Sequence, residues 1–495
     1  MSQAVESHKE NTHHLQGVIE GPGDEWFLPR IRFFNHYFHS AHLILGCVEL
    51  LLLCASVFGA SYVDAHWLSA LPLDYDALWA PAVYFAVVMS LCTLSLGVYS
   101  AYLTEGFNGL VLRTVAAFCL LGSTALLISY YLFPLLWLNS NVFLMAVMGS
   151  VVLVSVVRWL GSLLIDLSKL GPRVIIYGSG ARAAELCATT ADGVTGVQIL
   201  ACVNGGGDDN MVPDSMLVTA PEGWYQLVNK NHIDEIVIAP DERRRRDGAT
   251  FPVSEFLECK LQGVQVTDSL DFIERELGRL EIDQLHPGWM LFSKGFYFSR
   301  VRDYSKRVFD LAISSFLLIL FSPFMVLTAI AVKLESPGEI IFSQRRVGLG
   351  GKIFSIYKFR SMCVDAEGDG KAVWAKKNDP RVTKVGAFIR NTRLDELPQL
   401  WNVIRGDMSF VGPRPERPEF VDGLAKEIPF YNIRHHVKPG MMGWAQLKYP
   451  YGASVEDAKN KLSYDLYYTK NHSFMMDILI VIQTVEIVLL GKGVH

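Results

Sequence analysis

Two adjacent carboxylates, Asp395 and Glu396, stand at the start of an apolar-periodic run formed by Leu394, Leu397, Leu400, Trp401 and Ile404. That spacing predicts a helix. Thr392 is the expected N-cap, which puts both acids in the first turn. Neighbours on a helix point about 100° apart, so the two carboxylates are expected to do different work. Acids also decorate first turns simply because they complement the helix dipole, and the pair alone favours that reading. Three further features favour chemistry. Pro398 sits where proline is tolerated near a helix start. A charged turn, Arg405-Gly406-Asp407, follows, and then Gly412-Pro413-Arg414-Pro415, in which two prolines stiffen the backbone around one arginine. A guanidinium held in that way suits a phosphate or a carboxylate. Acids and a fixed arginine so close together suggest phosphoryl chemistry.

Upstream, residues 356–362 read IYKFRSM. Lys358 and Arg360 are two apart, so on a strand they share one face. They are either a solvated face of mixed charge or part of a phosphate site.

Residues 394–415, LDELPQLWNVIRGDMSFVGPRP, closely resemble the signature of the bacterial sugar transferase family, the polyprenyl-phosphate hexose-1-phosphate transferases. Further blocks resemble the same family at 344–348, 356–362, 434–440, 443–446 and 464–468. The resemblance implies transfer of a sugar 1-phosphate from a UDP-sugar to undecaprenyl phosphate, with release of UMP. It implies Asp395 as the nucleophile of a covalent aspartyl–phosphosugar and Glu396 as the ligand of Mg²⁺. Arg414 would neutralise charge on the transferred group, and Lys358 and Arg360 become candidates for binding substrate phosphate. It leaves the sugar open.

The rest of the chain, which must position these residues, reads as a membrane protein. At 495 residues two or three domains are expected, and 51% hydrophobic against 19% charged residues leans toward a bilayer. The net charge of −5 gives no basic field for nucleic acid. Eight cysteines form no CxxC and no metal-ligand spacing, so they read as small core residues. Residues 1–25 are a polar tail containing His13-His14, without the pattern of a signal peptide.

Four apolar segments near 41–63, 79–100, 110–133 and 142–165 are each long enough to span a bilayer, which predicts a four-helix transmembrane bundle over 26–168. Arg30, Arg32, Arg158, Lys169 and Arg173 flank its ends, which predicts cytoplasmic termini, with Trp67, Trp79 and Trp137 near the outer interface. Asp74-Tyr75-Asp76 resembles a glycosyltransferase metal motif but falls on the outer side, away from nucleotide sugars.

From 169 to 285 strands and helices alternate, as in a Rossmann-like α/β domain. Gly178-Ser179-Gly180 followed by Ala183 is close to the dinucleotide fingerprint. The second strand ends in Asn204 and a glycine run rather than an acid for a ribose, which favours a structural or regulatory domain over a bound nucleotide. The basic run at 243–246 reads as a solvated loop near anionic lipid.

Residues 286–300 read as a linker into a catalytic α/β domain at 301–495. This domain begins with an apolar segment, 306–333, flanked by positive charge at both ends and interrupted by Ser322-Pro323. Flanking charge disfavours a crossing, and proline frees a backbone carbonyl that serine can satisfy. The reading is a re-entrant helix that bends at Ser322-Pro323 and returns, as the resemblance also implies; a fifth span is the competing reading. His435-His436 read as core or surface residues rather than metal ligands. Glycine and proline in 434–446 suggest close backbone approach to a ligand, and 474–490 reads as an interfacial helix.

The expected setting is the bacterial inner membrane with the catalytic part cytoplasmic, and the long pre-catalytic half is compatible with a homodimer. A membrane-anchored sugar epimerase needs a Tyr-x-x-x-Lys that the chain lacks. A non-enzymatic scaffold or nucleotide sensor fits the Rossmann-like half but not the intact 394–415 block.

Overall fold

The structure is a computed structural model that describes residues 30–33, 36–68, 75–95, 111, 113–164, 172–191, 197–204, 209–219, 223–241, 251–296, 299–363, 381–450, 452 and 454–490. The 1–25 tail with His13-His14, Asp74, Lys169, the glycines at 205–207 and the arginines at 243–246 lie outside the described residues. The chain divides into two compact units, Met1–Leu277 and Gly278–His495.

The first unit opens with an antiparallel hairpin of β1 (Arg30–Phe33) and β2 (His36–His39). Helix α1 (Ser40–Val63) runs on into a π-helical turn, Asp64–Leu68. Next come α2 (Tyr75–Ser95), a π-helical segment Ala116–Gly122 continuing as α3 (Ser123–Leu132), and α4 (Ser140–Leu164). All four carry a stretch long and apolar enough to cross a membrane. They pack around one core that includes Leu53, Val57, Phe85, Met89, Phe118 and Val154, while Leu51, Leu127, Leu144 and Val152 face outward. Polar groups are also buried among them, and several are paired with one another, as an apolar surrounding favours. Ser56 and Ser150 hydroxyls meet at 2.8 Å. Arg158 forks onto both Glu49 oxygens at 2.6 and 2.7 Å and donates to the Thr114 hydroxyl. Trp67, Trp79 and Trp137 are all exposed.

The rest of this unit is a five-stranded parallel sheet. Its strands are β3 (Arg173–Tyr177), β4 (Gln198–Asn204), β5 (Leu217–Thr219), β6 (Glu235–Ile238) and β7 (Gln265–Asp268), in the spatial order β5-β4-β3-β6-β7. Helices α5 (Ala181–Ala191), α6 (Trp224–Lys230), α7 (Val253–Leu261) and α8 (Ser269–Leu277) cover it. The first strand lies central and the order reverses beside it, which is the doubly wound arrangement. The fingerprint loop is filled from within. Asp241, just past β6, accepts from the main-chain N–H groups of Ala181 at 2.8 Å and Arg182 at 3.0 Å, at the start of α5. A Cβ on Gly180 would collide with that carboxylate, and one on Gly178 with the Ala239 carbonyl.

The second unit begins earlier than the 285 boundary read from the sequence. Leu280, Ile282 and Leu285 are buried with Phe410, Leu424, Tyr431 and Leu466 of the catalytic part. The expected linker is a docked segment. Its short helix α9 (Pro287–Phe292) is capped by His286, which accepts from Trp289 N–H, and the Lys470 ammonium lies 4.2 Å from the Trp289 ring.

Helix α10 (Arg300–Glu335) follows, 36 residues and about 54 Å long. It runs uninterrupted through Pro323. Proline there removes the donor that would bond the Ile319 carbonyl, and Ser322 Oγ donates to that same oxygen at 2.8 Å. Its middle exposes Phe316, Ile319, Leu320, Phe324, Val326 and Leu327, and it too is long and apolar enough to cross a membrane.

Beyond it lie the antiparallel hairpin β8 (Ile341–Val347) and β9 (Ile353–Phe359), then α11 (Lys384–Asn391), α12 (Gln399–Arg405), β10 (Ser409–Val411) and α13 (Pro418–Glu427). Strand β11 (Gly440–Met442) pairs in parallel with β10. Helices α14 (Trp444–Lys448), α15 (Val455–Asn471) and α16 (Phe474–Leu490) complete the unit.

Candidate active site

The acidic pair does not open a helix capped by Thr392. The cap of α11 is Thr383, whose hydroxyl accepts from Gly386 N–H. Thr392 closes that helix, its hydroxyl donating back to the Phe388 carbonyl at 2.9 Å. A threonine hydroxyl can serve carbonyls behind it as readily as N–H groups ahead, and here it serves the former. Arg393 then adopts the left-handed conformation (φ 59°) that helix ends usually give to glycine. The chain reverses, and Asp395 and Glu396 sit in a 3-10 turn, Leu394–Glu396, ahead of α12. The buried face of α12 is Gln399, Leu400, Asn402 and Val403, whereas Trp401 is exposed, so the inward face is shifted from the apolar one read in the sequence.

Glu396 Oε1 accepts from Lys358 Nζ at 2.9 Å and from Arg414 Nη2 at 3.3 Å. Burial alone would raise the Glu396 carboxyl, but Lys358, Arg414 and Arg393 outweigh it and hold the group well below the usual carboxylate range. Burial likewise pulls the Lys358 ammonium down against the attraction of Glu396. Asp395 differs. It is 7% exposed, and its Oδ1 is buried without a hydrogen-bond partner. Burial, and then the neighbouring Glu396 charge, push its carboxyl up to about 6. Two adjacent carboxylates are thus driven apart in acidity, the pattern by which paired acids take separate roles.

The donor set fits Mg²⁺. That ion usually takes one or two carboxylates and completes its shell with substrate phosphates and water. Both cations bond Glu396 through one oxygen, and Asp395 Oδ1 is a buried acceptor without a partner. Among the described residues no cluster of three or more His, Cys, Asp or Glu would hold a metal without substrate. Burial, then Arg434, pull the His435 imidazole down to about 4, which leaves it neutral near pH 7.

Other elements fix this arrangement. Asn402, fully buried, donates to the Ser355 carbonyl and accepts from Tyr357 N–H, which ties α12 to the strand carrying Lys358. Arg307 of α10 donates to the last carbonyls of α12, Val403 and Ile404, both at 2.6 Å. A cation at a helix C-terminus is favoured by the dipole, and here it reaches Ile404 O and adds a second donor to Val403 O, which also accepts from Gly406 N–H. Neither residue stood out in the sequence, because an asparagine and an arginine announce no partner by spacing.

Arg360 goes elsewhere. Strand β9 ends at Phe359, so the shared face with Lys358 is lost. The Arg360 guanidinium instead binds the Pro337 and Ser336 carbonyls at 2.7 and 2.8 Å, just beyond the end of α10. The close approach expected around 434–446 is also internal. A Cβ on Gly440 would strike Gly412 N, and one on Gly412 the Lys438 carbonyl, so these glycines let β10 and β11 meet beside Arg414.

Residues 301–491 match the family model described as bacterial sugar transferase. The chain is 45% identical over 235 residues to an Aeromonas hydrophila protein named UDP-N-acetylgalactosamine-undecaprenyl-phosphate N-acetylgalactosaminephosphotransferase, covering 48% of this chain and 55% of that one. It is 46% identical over 182 residues to the UDP-glucose:undecaprenyl-phosphate glucose-1-phosphate transferase of Escherichia coli K12, covering 36% and 39%. With exopolysaccharide production protein PSS of Rhizobium leguminosarum it shares 42% identity over 194 residues, 38% of this chain and 97% of the relative. The chain thus spans only about half or less of the first two relatives, but nearly all of the third. On these matches the chain belongs to the bacterial sugar transferase family.

Proposed function

We propose that the chain transfers a sugar 1-phosphate from a UDP-sugar to undecaprenyl phosphate, releasing UMP, at the surface of a membrane. The observation that carries this reading is the division of labour in one turn: Glu396 neutralised by Lys358 and Arg414, and Asp395 buried beside it with an unpartnered oxygen. An ionised Asp395 attacks the β-phosphorus, and the bond to the α-phosphate oxygen breaks. UMP leaves with the electron pair, and the sugar phosphate is held on Asp395. A phosphate oxygen of the polyprenyl carrier then attacks the same phosphorus and frees the carboxylate. Arg414 and Lys358 offset charge on the transferred group. Glu396 would hold Mg²⁺, which supplies charge neutralisation on the diphosphate.

The placement of α10 supports a re-entrant anchor. Near its start, Lys306 donates to the Val411 carbonyl and pairs with Asp477 at 2.6 Å, and Asp310 accepts from Ser409 and Phe410. At its end, Val332 packs on Phe359 and Ile389, and Glu335 accepts from Val385 N–H. Both ends hold the same catalytic unit, which suits an anchor whose ends lie on one side of the bilayer. Together with the positive charge flanking the apolar segments, this supports a site at the cytoplasmic interface of the inner membrane, where UDP-sugar and lipid phosphate meet.

The test is UMP release by the full chain in nanodiscs holding undecaprenyl phosphate and Mg²⁺. UDP-N-acetylgalactosamine, UDP-glucose and other UDP-sugars are offered singly, with Asp395→Asn in parallel. Release with one sugar, lost in the variant along with trapped phosphosugar, is expected. Robust turnover by Asp395→Asn would sink the covalent route, and silence with every sugar from folded protein would sink the transferase.

A further inference from the structure

The stretch 413–416 is irregular backbone, yet each of its four carbonyls is held by a donor from another element. Pro413 O accepts from Gly440 N at 2.9 Å and Glu416 O from Val347 N at 3.0 Å. Arg414 O accepts from Arg434 Nη2 at 2.8 Å and Pro415 O from Arg346 Nη1 at 3.0 Å. Two of the four donors are therefore arginine side chains. The prolines fix φ at 413 and 415, and Pro415 also keeps Arg414 extended. The freedom left within Arg414 is then mainly rotation about its own N–Cα bond. Its carbonyl and its side chain turn together in that rotation, so a donor held on the carbonyl sets where the Arg414 side chain starts from.

Arg434 closes off this freedom. It is 6% exposed, and both terminal nitrogens of its fork are engaged. Besides the Arg414 carbonyl, Nη2 lies 2.8 Å from Asp465 Oδ2, and Nη1 donates to the Tyr431 hydroxyl at 2.8 Å. Asp465 is buried as well. A buried ion pair is weak ground for stability, since apolar replacements of similar volume often do as well. This one spends a donor on the backbone of the residue whose own guanidinium reaches Glu396. We infer that Arg434 is a positioning residue for Arg414: held by Asp465 and Tyr431, it sets the backbone from which Arg414 meets the transferred phosphate. The inference rests on the transfer reaction proposed above.

The variant that tests it is Arg434→Lys, which keeps a cation beside Asp465 but loses the fork. UMP release is measured in nanodiscs for wild type, Arg434→Lys, Arg414→Ala and the double variant, with a thermal melt of each. Arg434→Lys is expected to lower kcat on the order of 10²-fold with KM nearly unchanged, the scale of a misplaced catalytic group. The double variant is expected to be no slower than Arg414→Ala, because the residue being positioned is gone. Turnover by Arg434→Lys within about twofold of wild type, or losses that multiply in the double variant, overturns the inference and makes Arg434 an independent fold residue. Should Arg434→Lys fail to fold, Tyr431→Phe removes only one hydroxyl. Its smaller loss in kcat must likewise vanish in the Arg414→Ala background, and persistence there overturns the inference. A wild type that releases no UMP with any sugar removes the transfer reaction and the inference with it.

Discussion

Lys358 and Glu396 meet at 2.9 Å across 38 residues of sequence, one on the second strand of a hairpin and the other in a turn that precedes a helix. Only 20% and 14% of the two side chains are exposed. The hairpin therefore gives the acidic turn its charge balance, and Asn402 holds the two elements in register. Neither carboxylate of the pair behaves as an isolated surface acid would.

Lys358→Met removes that balance and leaves Glu396 with Arg414 at 3.3 Å. Loss of a charged hydrogen bond at a half-buried site costs about 1–3 kcal/mol. UMP release is expected to fall on the order of 10²-fold. Lys358→Arg keeps the charge and should recover part of both. A melt and a rate unchanged in Lys358→Met would mean that Glu396 does not depend on this lysine.

In the proposed reaction, the acid limb of the rate profile should belong to Asp395. Its carboxyl is raised to about 6, so below that pH it is protonated and cannot attack, and above it is ionised. Glu396 stays ionised throughout, its own acidity being shifted the other way. The value of kcat/KM should therefore rise with pH through about 6. Glu396→Gln removes the neighbouring negative charge and should move that limb to lower pH in whatever activity remains. Stability runs oppositely. A carboxyl raised in the folded state holds its proton more tightly there, so its contribution is full below the unfolded value of about 4 and fades as pH rises through 6. A rate that is flat between about pH 5 and 7 would remove Asp395 as the titrating nucleophile.

Asp241 caps α5 from outside the helix, with two N–H groups on one carboxylate. Asp241→Ala should cost about 1–2 kcal/mol, as loss of an N-cap does. The loss should appear as faster hydrogen exchange in the peptide 178–191 of the full chain, with UMP release little changed. A dinucleotide pyrophosphate would need the same N–H groups, so this carboxylate explains the glycines of the loop without a cofactor. Exchange unaltered in the variant would show that the cap contributes nothing.

What was legible in the sequence was whatever local pattern decides. The four apolar segments, the alternation of strand and helix that begins at 173–177, and the 394–415 block all follow from runs and spacings within about 20 residues. The carbonyl served by Ser322 is likewise local, three residues back. The misreadings came where a local rule has two outcomes. A threonine can cap forward or bond backward, which is why Thr392 was misplaced. Strand parity holds only as far as the strand, and Arg360 lies one residue past it. Glycines mark close approach without saying to what, and at 412 and 440 the neighbour is backbone. Arg307, Asn402 and Arg434 were not legible because each acts on a partner distant in sequence or through a carbonyl, which no side-chain pattern reports.

Ser322 and Pro323 compensate each other, and that can be tested by sign. Ser322→Ala leaves the Ile319 carbonyl without the hydroxyl and without a main-chain donor, at a cost of about 1–3 kcal/mol in apolar surroundings. Pro323→Ala restores the N–H, so adding it to Ser322→Ala should recover the loss rather than deepen it. The same helix gives the topology test. Val301→Cys and Glu339→Cys lie at its two ends, both exposed, and are introduced singly into a chain freed of its exposed cysteines Cys47, Cys119 and Cys363. An impermeant thiol reagent should reach both from the cytoplasmic side of sealed vesicles. Labelling from opposite sides would make α10 a fifth span. It would also be at odds with the contacts that Lys306 and Glu335 make with one catalytic unit.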